Sequence, residues 1–214
     1  MRHIYLTTLA VLLCVGGAWA QTTLMQESFE TDGSGGTRYT LSAPHQNDGG
    51  FGDYWERGTD ADFSGFGLSI APISGVDGNS YIGAEDIDAA GISGGAVTLT
   101  FNDVVIANFQ NLSVSFLLAA NEGTSFDYAT RSNGDYVLVE YQVDGGGYDT
   151  LAFFSTAVNA SSQRFEWDTD GDGFGDSLTS SDFDTYSFGI PETGSTLSLR
   201  MSMRTDAGSE EIAL

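Results

Sequence analysis

The sequence contains no lysine: its seven basic residues are all arginine, against 30 acidic ones, and the formal charge is −23 over 214 residues. A polyanion partner is held by clustered cations, so this balance argues against nucleic acid and anionic membrane surfaces as partners. Cysteine occurs once, at Cys14, and histidine twice, at His3 and His45. These counts exclude a disulfide framework and a histidine-rich catalytic metal site. Any Ser-His-Asp triad would have to use His45. That residue stands in the polar stretch Ala43-Pro44-His45-Gln46-Asn47 with no G-x-S-x-G elbow beside it, and reads as a solvated loop histidine. Long helical periodicity is absent after residue 20, which excludes bundle and βαβ architectures.

Residues 1–20 follow the pattern of an export signal. Arg2 supplies the positive start, Ile4 to Val15 the apolar run, and Ala18-Trp19-Ala20 a cleavage site before Gln21. The run is shorter than the ~20 apolar residues of a membrane span, so cleavage rather than membrane insertion is expected. Cleavage removes Cys14 and leaves 194 residues (214 − 20), 21–214, as one secreted or cell-surface domain. A chain of this size can bury its own core. Without disulfides, bound calcium is a second source of stability where the external ion is millimolar.

Alternation with period two dominates what remains. Val97, Leu99 and Phe101 form one apolar face, and Leu112, Val114, Phe116 and Leu118 another. Val137, Val139, Tyr141 and Val143 lead into the turn Asp144-Gly145-Gly146-Gly147 and a return strand over Tyr148 to Phe154. Ser80 to Gly83, Phe183 to Ile190 and the alternating set Leu197, Leu199, Met201 and Met203 complete the strands. Glycine, 28 of 214, is concentrated in the turns between them. The pattern predicts an all-β, antiparallel, jelly-roll-like β-sandwich. Glu210-Glu211-Ile212-Ala213-Leu214 reads as the opening of a further strand, as though the sandwich were cut short.

The most informative stretch is Asp168-Thr169-Asp170-Gly171-Asp172-Gly173-Phe174-Gly175-Asp176. Carboxylates recur at positions 1, 3, 5 and 9, with glycine at position 6. Calcium takes 6–8 oxygens at roughly 2.3–2.6 Å, and a tight loop supplies them when alternate side chains point inward. Asp168, Asp170 and Asp172 are the expected side-chain ligands, the Phe174 carbonyl the position-7 ligand, and Asp176 a ligand directly or through water. Asp182 or Asp184 is a candidate for one further oxygen. Without an ion, two carboxylates ~5–6 Å apart repel by roughly 0.7–3 kcal/mol, which favours an open loop. An acidic turn carrying Asp and Gly for their turn chemistry alone is the alternative. The stretch resembles the calcium loops of EF-hands, dockerins and thrombospondin type 3 repeats. It departs from the EF-hand in having Thr179 where that loop ends on a bidentate glutamate, and a strand pattern where the second helix would be. A static structural site is implied rather than a switch.

Four further segments carry a wider resemblance: Glu27 to Gly33, Thr37 to Thr40, Val139 to Gly146 and the close Ser209 to Ala213. With them the chain is similar to β-sandwich domains found at the front of secreted bacterial multidomain proteins. That resemblance implies an accessory module more than a catalyst. Glu85-Asp86-Ile87-Asp88, together with Asp77, is a candidate second cation site, or else an ordinary solvated strand end. Tyr54 and Trp55, flanked by Phe51, Phe63 and Phe66, are candidate stacking rings for a polysaccharide or cell-surface glycan; core packing is the competing role. Carboxylate pairs suited to glycoside hydrolysis are not spaced as E-x-D-x-x-E anywhere. The expected function is therefore a secreted, calcium-stabilised, non-catalytic module for adhesion or carbohydrate binding. The alternative is an accessory part of a secreted hydrolase (a glycosidase or nuclease), or such an enzyme itself.

Overall fold

A computed structural model describes residues 21–45, 53–66, 70–87, 95–128, 134–157 and 163–214. The export signal, Phe51 and Asp88 lie outside these residues, as does Asn159-Ala160-Ser161, which matches the N-x-S glycosylation pattern. The strands in chain order are β1 (Tyr39–Leu41), β2 (Tyr54–Thr59), β3 (Ser80–Glu85), β4 (Val97–Phe101), β5 (Val104–Val105), β6 (Leu112–Ala120) and β7 (Tyr136–Val143). They continue with β8 (Asp149–Thr156), β9 (Phe165–Asp168), β10 (Ser177–Leu178), β11 (Asp184–Ile190), β12 (Thr196–Arg204) and β13 (Ile212–Ala213). One short helix, α1 (Asp60–Phe66), follows β2.

The strands make two antiparallel sheets, as the alternation predicts. The larger runs β1-β4-β12-β7-β8-β9-β10, with β5 also paired to β12; the smaller runs β11-β6-β13-β3-β2. In β12 the burial alternates without a break, Leu197, Leu199, Met201 and Met203 inward and the residues between them half-exposed. Those side chains meet the small sheet in a shared core. Val97, Leu99, Val137, Val139, Phe154 and Met201 from one side pack with Trp55, Ile82, Ala84, Leu118, Ala120 and Ile212 from the other. Burial of these apolar faces holds the sheets together, at roughly 1.5–3 kcal/mol for each large side chain removed from water.

The β7–β8 turn forms where Asp144 and Gly145 both take left-handed φ, 51° and 71°, and the Gly146 amide donates to the Val143 carbonyl at 3.0 Å. Positive φ at both central residues matches the twist of the two strands. The closing residues do form a strand, and β13 lies inside the small sheet, between β6 and β3.

Helix α1 is not foreshadowed by the turn-rich composition of its segment. Its start is a reciprocal cap: Asp62 accepts from the Thr59 amide at 2.9 Å, and the Asp62 amide donates back to the Thr59 hydroxyl at 3.4 Å. The helix lays Phe63 on the outer face of the small sheet, against Tyr54 and Tyr81 at ring distances of 4.6 and 4.5 Å. Among the described residues no helix is long and apolar enough to cross a membrane.

Candidate metal centre

β9 and β10 pair Trp167 with Ser177 and Glu166 with Leu178, so residues between them are the turn of a hairpin. The Asp176 amide donates to the Trp167 carbonyl and the Gly175 amide to the Thr156 carbonyl, both at 2.9 Å, which fixes the far limb. Within this frame Asp168 is buried, and both of its carboxylate oxygens face inward. Oδ1 accepts the Gly171 amide at 2.7 Å and Oδ2 the Gly173 amide at 2.9 Å. Asp170 and Asp172 each accept the amide two residues on, from Asp172 at 3.1 Å and Phe174 at 2.9 Å. These side chain–backbone turns bend the loop, aided by Gly171 at φ +81° and Gly173 at φ +96°. One carboxylate oxygen from each of Asp168, Asp170 and Asp172 comes to rest within 4.8 Å of the other two. Oxygens sharing one calcium at about 2.3–2.6 Å can be no more than about 4.6–5.2 Å apart, so the trio fits that ion.

The other expected side chains are held by bonds of their own. Asp176 accepts from Thr169, at 2.7 Å from its hydroxyl and 2.8 Å from its amide, and these bonds hold its carboxyl below the ordinary value. It closes the loop and is not grouped with the trio. Asp182 accepts from the Ser74 amide and hydroxyl on another part of the molecule. Asp184 begins β11 opposite Leu118. Thr179 is buried, its hydroxyl donating to the Phe165 carbonyl at 2.9 Å. Phe174 is half-buried, and its ring stacks on Tyr128 at 5.1 Å beside the acidic trio.

Tyr54 and Trp55 require a correction. Both are fully buried, so neither offers a ring face to a sugar. Trp55 lies in the shared core, with Nε1 donating to the Ser42 carbonyl at 2.8 Å, and Tyr54 packs edge-on to Phe63. Alternate residues of β2 point to the two faces of its sheet, and both faces are covered. His45 is also not a solvated loop residue. It exchanges backbone hydrogen bonds with Trp55, 3.0 Å each way, and its ring is half-buried.

Of the candidate second cation site, Asp88 lies outside the described residues, and Asp77 and Glu85 stand at opposite ends of β3. Asp77 precedes β3 and Glu85 ends it, and the six-residue strand between them spans roughly 16 Å. Glu85 is instead buried, and burial, with Glu211, Asp86 and Asp53 nearby, pushes its carboxyl up to about 8.

A second acidic cluster escaped the sequence reading. Asp135, Asp206 and Glu210 bring carboxylate oxygens within 4.8 Å of one another. Asp135 immediately precedes β7, and the other two lie in the β12–β13 turn. Burial raises the carboxyls of both Asp135 and Glu210. Asp206-Ala207-Gly208-Ser209-Glu210 has the look of an ordinary acidic turn, and its third partner is 71 residues away (206 − 135).

A cavity of about 360 Å³ opens between the sheets, walled by apolar side chains including Leu99, Phe101, Val114, Phe116 and Val139. Of the charged side chains on its wall, Glu27 pairs with Arg38 at 2.9 Å and Arg200 with Glu140 at 2.6 Å. No protein-family model matches the chain, and no curated protein matches it either.

Proposed function

We propose that this chain is an exported β-sandwich module stabilised by calcium, acting in adhesion or glycan binding rather than catalysis. The observation that carries this reading is the convergence of the Asp168, Asp170 and Asp172 oxygens at a hairpin tip whose backbone already fixes each carboxylate. A loop organised in this way gives up little conformational freedom when it takes an ion, and external calcium is abundant enough to keep such a site filled. The export signal and the excess of acidic residues accord with that setting.

With Tyr54 and Trp55 in the core, the aromatic surface available to a sugar beside the loop is the half-buried pair Phe174 and Tyr128. A pyranose ring stacked on this pair would place its hydroxyls near the carboxylates and the ion. Affinity electrophoresis through a panel of polysaccharides, with calcium or chelator in the gel, tests this. Calcium-dependent retention that Phe174→Ala abolishes, with an unchanged fold, supports the reading. Equal mobility in every gel refutes glycan binding. Identical melting curves with calcium and chelator refute the calcium-stabilised module.

A further inference from the structure

The group at Asp135, Asp206 and Glu210 stands apart from the loop, at the junction where the chain passes from the large sheet to the small one. Asp135 is 0% exposed and held from several sides. Its amide donates to the Asp127 carbonyl at 3.0 Å, its carbonyl accepts from the Ser155 hydroxyl at 3.0 Å, and its Oδ2 accepts from the Asp127 amide. Its Oδ1 is buried and receives no N–H or O–H donor among the described residues, and the Glu210 carboxyl lies within hydrogen-bonding reach of the Asp135 carboxyl. A buried carboxylate oxygen left unsatisfied is costly, and native structures supply such an atom with a partner.

The surroundings of Oδ1 define what the partner is. Glu210 is 1% exposed and Asp206 half-buried. Glu210 Oε2 accepts from the Asp206 and Ala207 amides at 2.7 and 2.8 Å, which sets the turn and aims the side chain. Among the described residues the cation of the group is Arg204, whose guanidinium donates to Asp206 Oδ2 and to the Gly134 carbonyl, each at 2.8 Å. Among the described residues, three carboxylates against one guanidinium leave a charge of −2 (1 − 3) when all are ionised. One divalent ion neutralises that charge. The oxygens lie within 4.8 Å of one another, inside the span that one calcium allows.

We propose that Asp135, Asp206 and Glu210 form a second divalent-cation site, of the hard-oxygen class that takes calcium, joining the start of β7 to the β12–β13 turn. Asp206, with a side chain 27% exposed, is the point of entry from solvent. The ion's structural effect is to fix β13 where it fills the gap between β6 and β3.

The test uses the full chain carrying Asp170→Asn and Asp172→Asn, which disables the hairpin loop and isolates this site. Equilibrium dialysis against calcium, and melting in millimolar calcium and in chelator, are the measurements. The loop-disabled chain is expected to retain one bound calcium and to melt higher with the ion. Adding Asp135→Asn is expected to remove both effects while leaving the melting point in chelator unchanged or raised, because the isosteric amide removes a buried charge. Should that variant fail to fold, Asp206→Asn at the half-buried rim is expected to lose the ion in the same way. The site is overturned if the loop-disabled chain binds no calcium and melts identically in both buffers, as a proton shared between Asp135 and Glu210 would produce. It is equally overturned if calcium remains bound after the Asp135 or Asp206 substitution. Failure of the hairpin loop alone shows separately, as a parent chain whose single bound calcium is lost with Asp135→Asn.

Discussion

The carboxylate of Asp168 accepts the Gly173 amide at 2.9 Å across a loop that Gly173 turns at φ +96°. The bond ties the last residue of a strand to a left-handed glycine in the turn that follows it, and so fixes the Asp168 carboxylate without any ion. Asp168 is thus a scaffold of the loop as well as its proposed first ligand, while Asp170 and Asp172 are exposed and organised only by local turns.

Calcium binding at the loop should raise the melting temperature. A site filled to 100 times its dissociation constant stabilises the folded state by about 2.7 kcal/mol. For a chain of this length that corresponds to a rise of roughly 5–10 °C. Asp170→Ala is expected to reduce the gain without altering the melting point in chelator. Differential scanning calorimetry in both buffers checks this, and a gain as large in the variant as in the parent would remove Asp170 from the site.

Gly173→Ala should weaken calcium binding through the backbone. No atom lies within 4 Å of the added Cβ, so steric clash contributes nothing and the left-handed φ is the whole cost. That cost is about 1–2 kcal/mol. Gly145→Ala, at φ +71° in the β7–β8 turn and also with open space around it, is the control. It should cost similar stability in urea melts yet leave calcium affinity unchanged.

Glu85 should make stability fall as pH rises. Its carboxyl goes from an ordinary value of 4.5 in the unfolded chain to about 8 in the fold, chiefly through burial. Below 4.5 both states hold the proton and no penalty exists. Between 4.5 and about 8 the unfolded chain releases it while the folded one keeps it, so stability declines steadily. Above about 8 the penalty is complete. Glu85→Gln is therefore expected to match the parent near pH 4.5 and to exceed it by a few kcal/mol near pH 9. Denaturant melts across that range check it, and a difference independent of pH would contradict it.

Trp55→Ala should lower stability rather than remove a ligand contact. The side chain is fully buried in the shared core, and truncation there costs about 3–5 kcal/mol. Trp55→Phe keeps most of the volume but loses the bond to the Ser42 carbonyl, for about 0.5–1.5 kcal/mol. Chemical denaturation measures both. Unchanged stability with loss of polysaccharide retention would return Trp55 to the surface role.

The strands were legible because each carries its own alternation: Leu197 to Met203 shows its buried face without knowledge of any neighbour. The hairpin loop was legible because Asp168, Asp170 and Asp172 are nearly contiguous, so spacing alone encodes their convergence. The hydrogen bonds of Asp176 and Asp182 were not legible, for the converse reason. Their partners, Thr169 and Ser74, compete for the same oxygens, and proximity in sequence does not rank a hydroxyl or an amide against an ion. Helix α1 was hidden because its cap, Thr59 with Asp62, uses the residue types that also build turns.

The sequence by itself determined a two-faced, antiparallel sheet protein and one acidic loop, since period-two burial and short-range turn chemistry are local properties of a chain. Only the tertiary structure decided that Tyr54 and Trp55 are interior and that Asp135 meets Asp206 and Glu210. The physical reason is common to both. Exposure and the meeting of distant carboxylates depend on which strands become neighbours, and that is fixed by the packing of whole sheets rather than by any segment's own pattern.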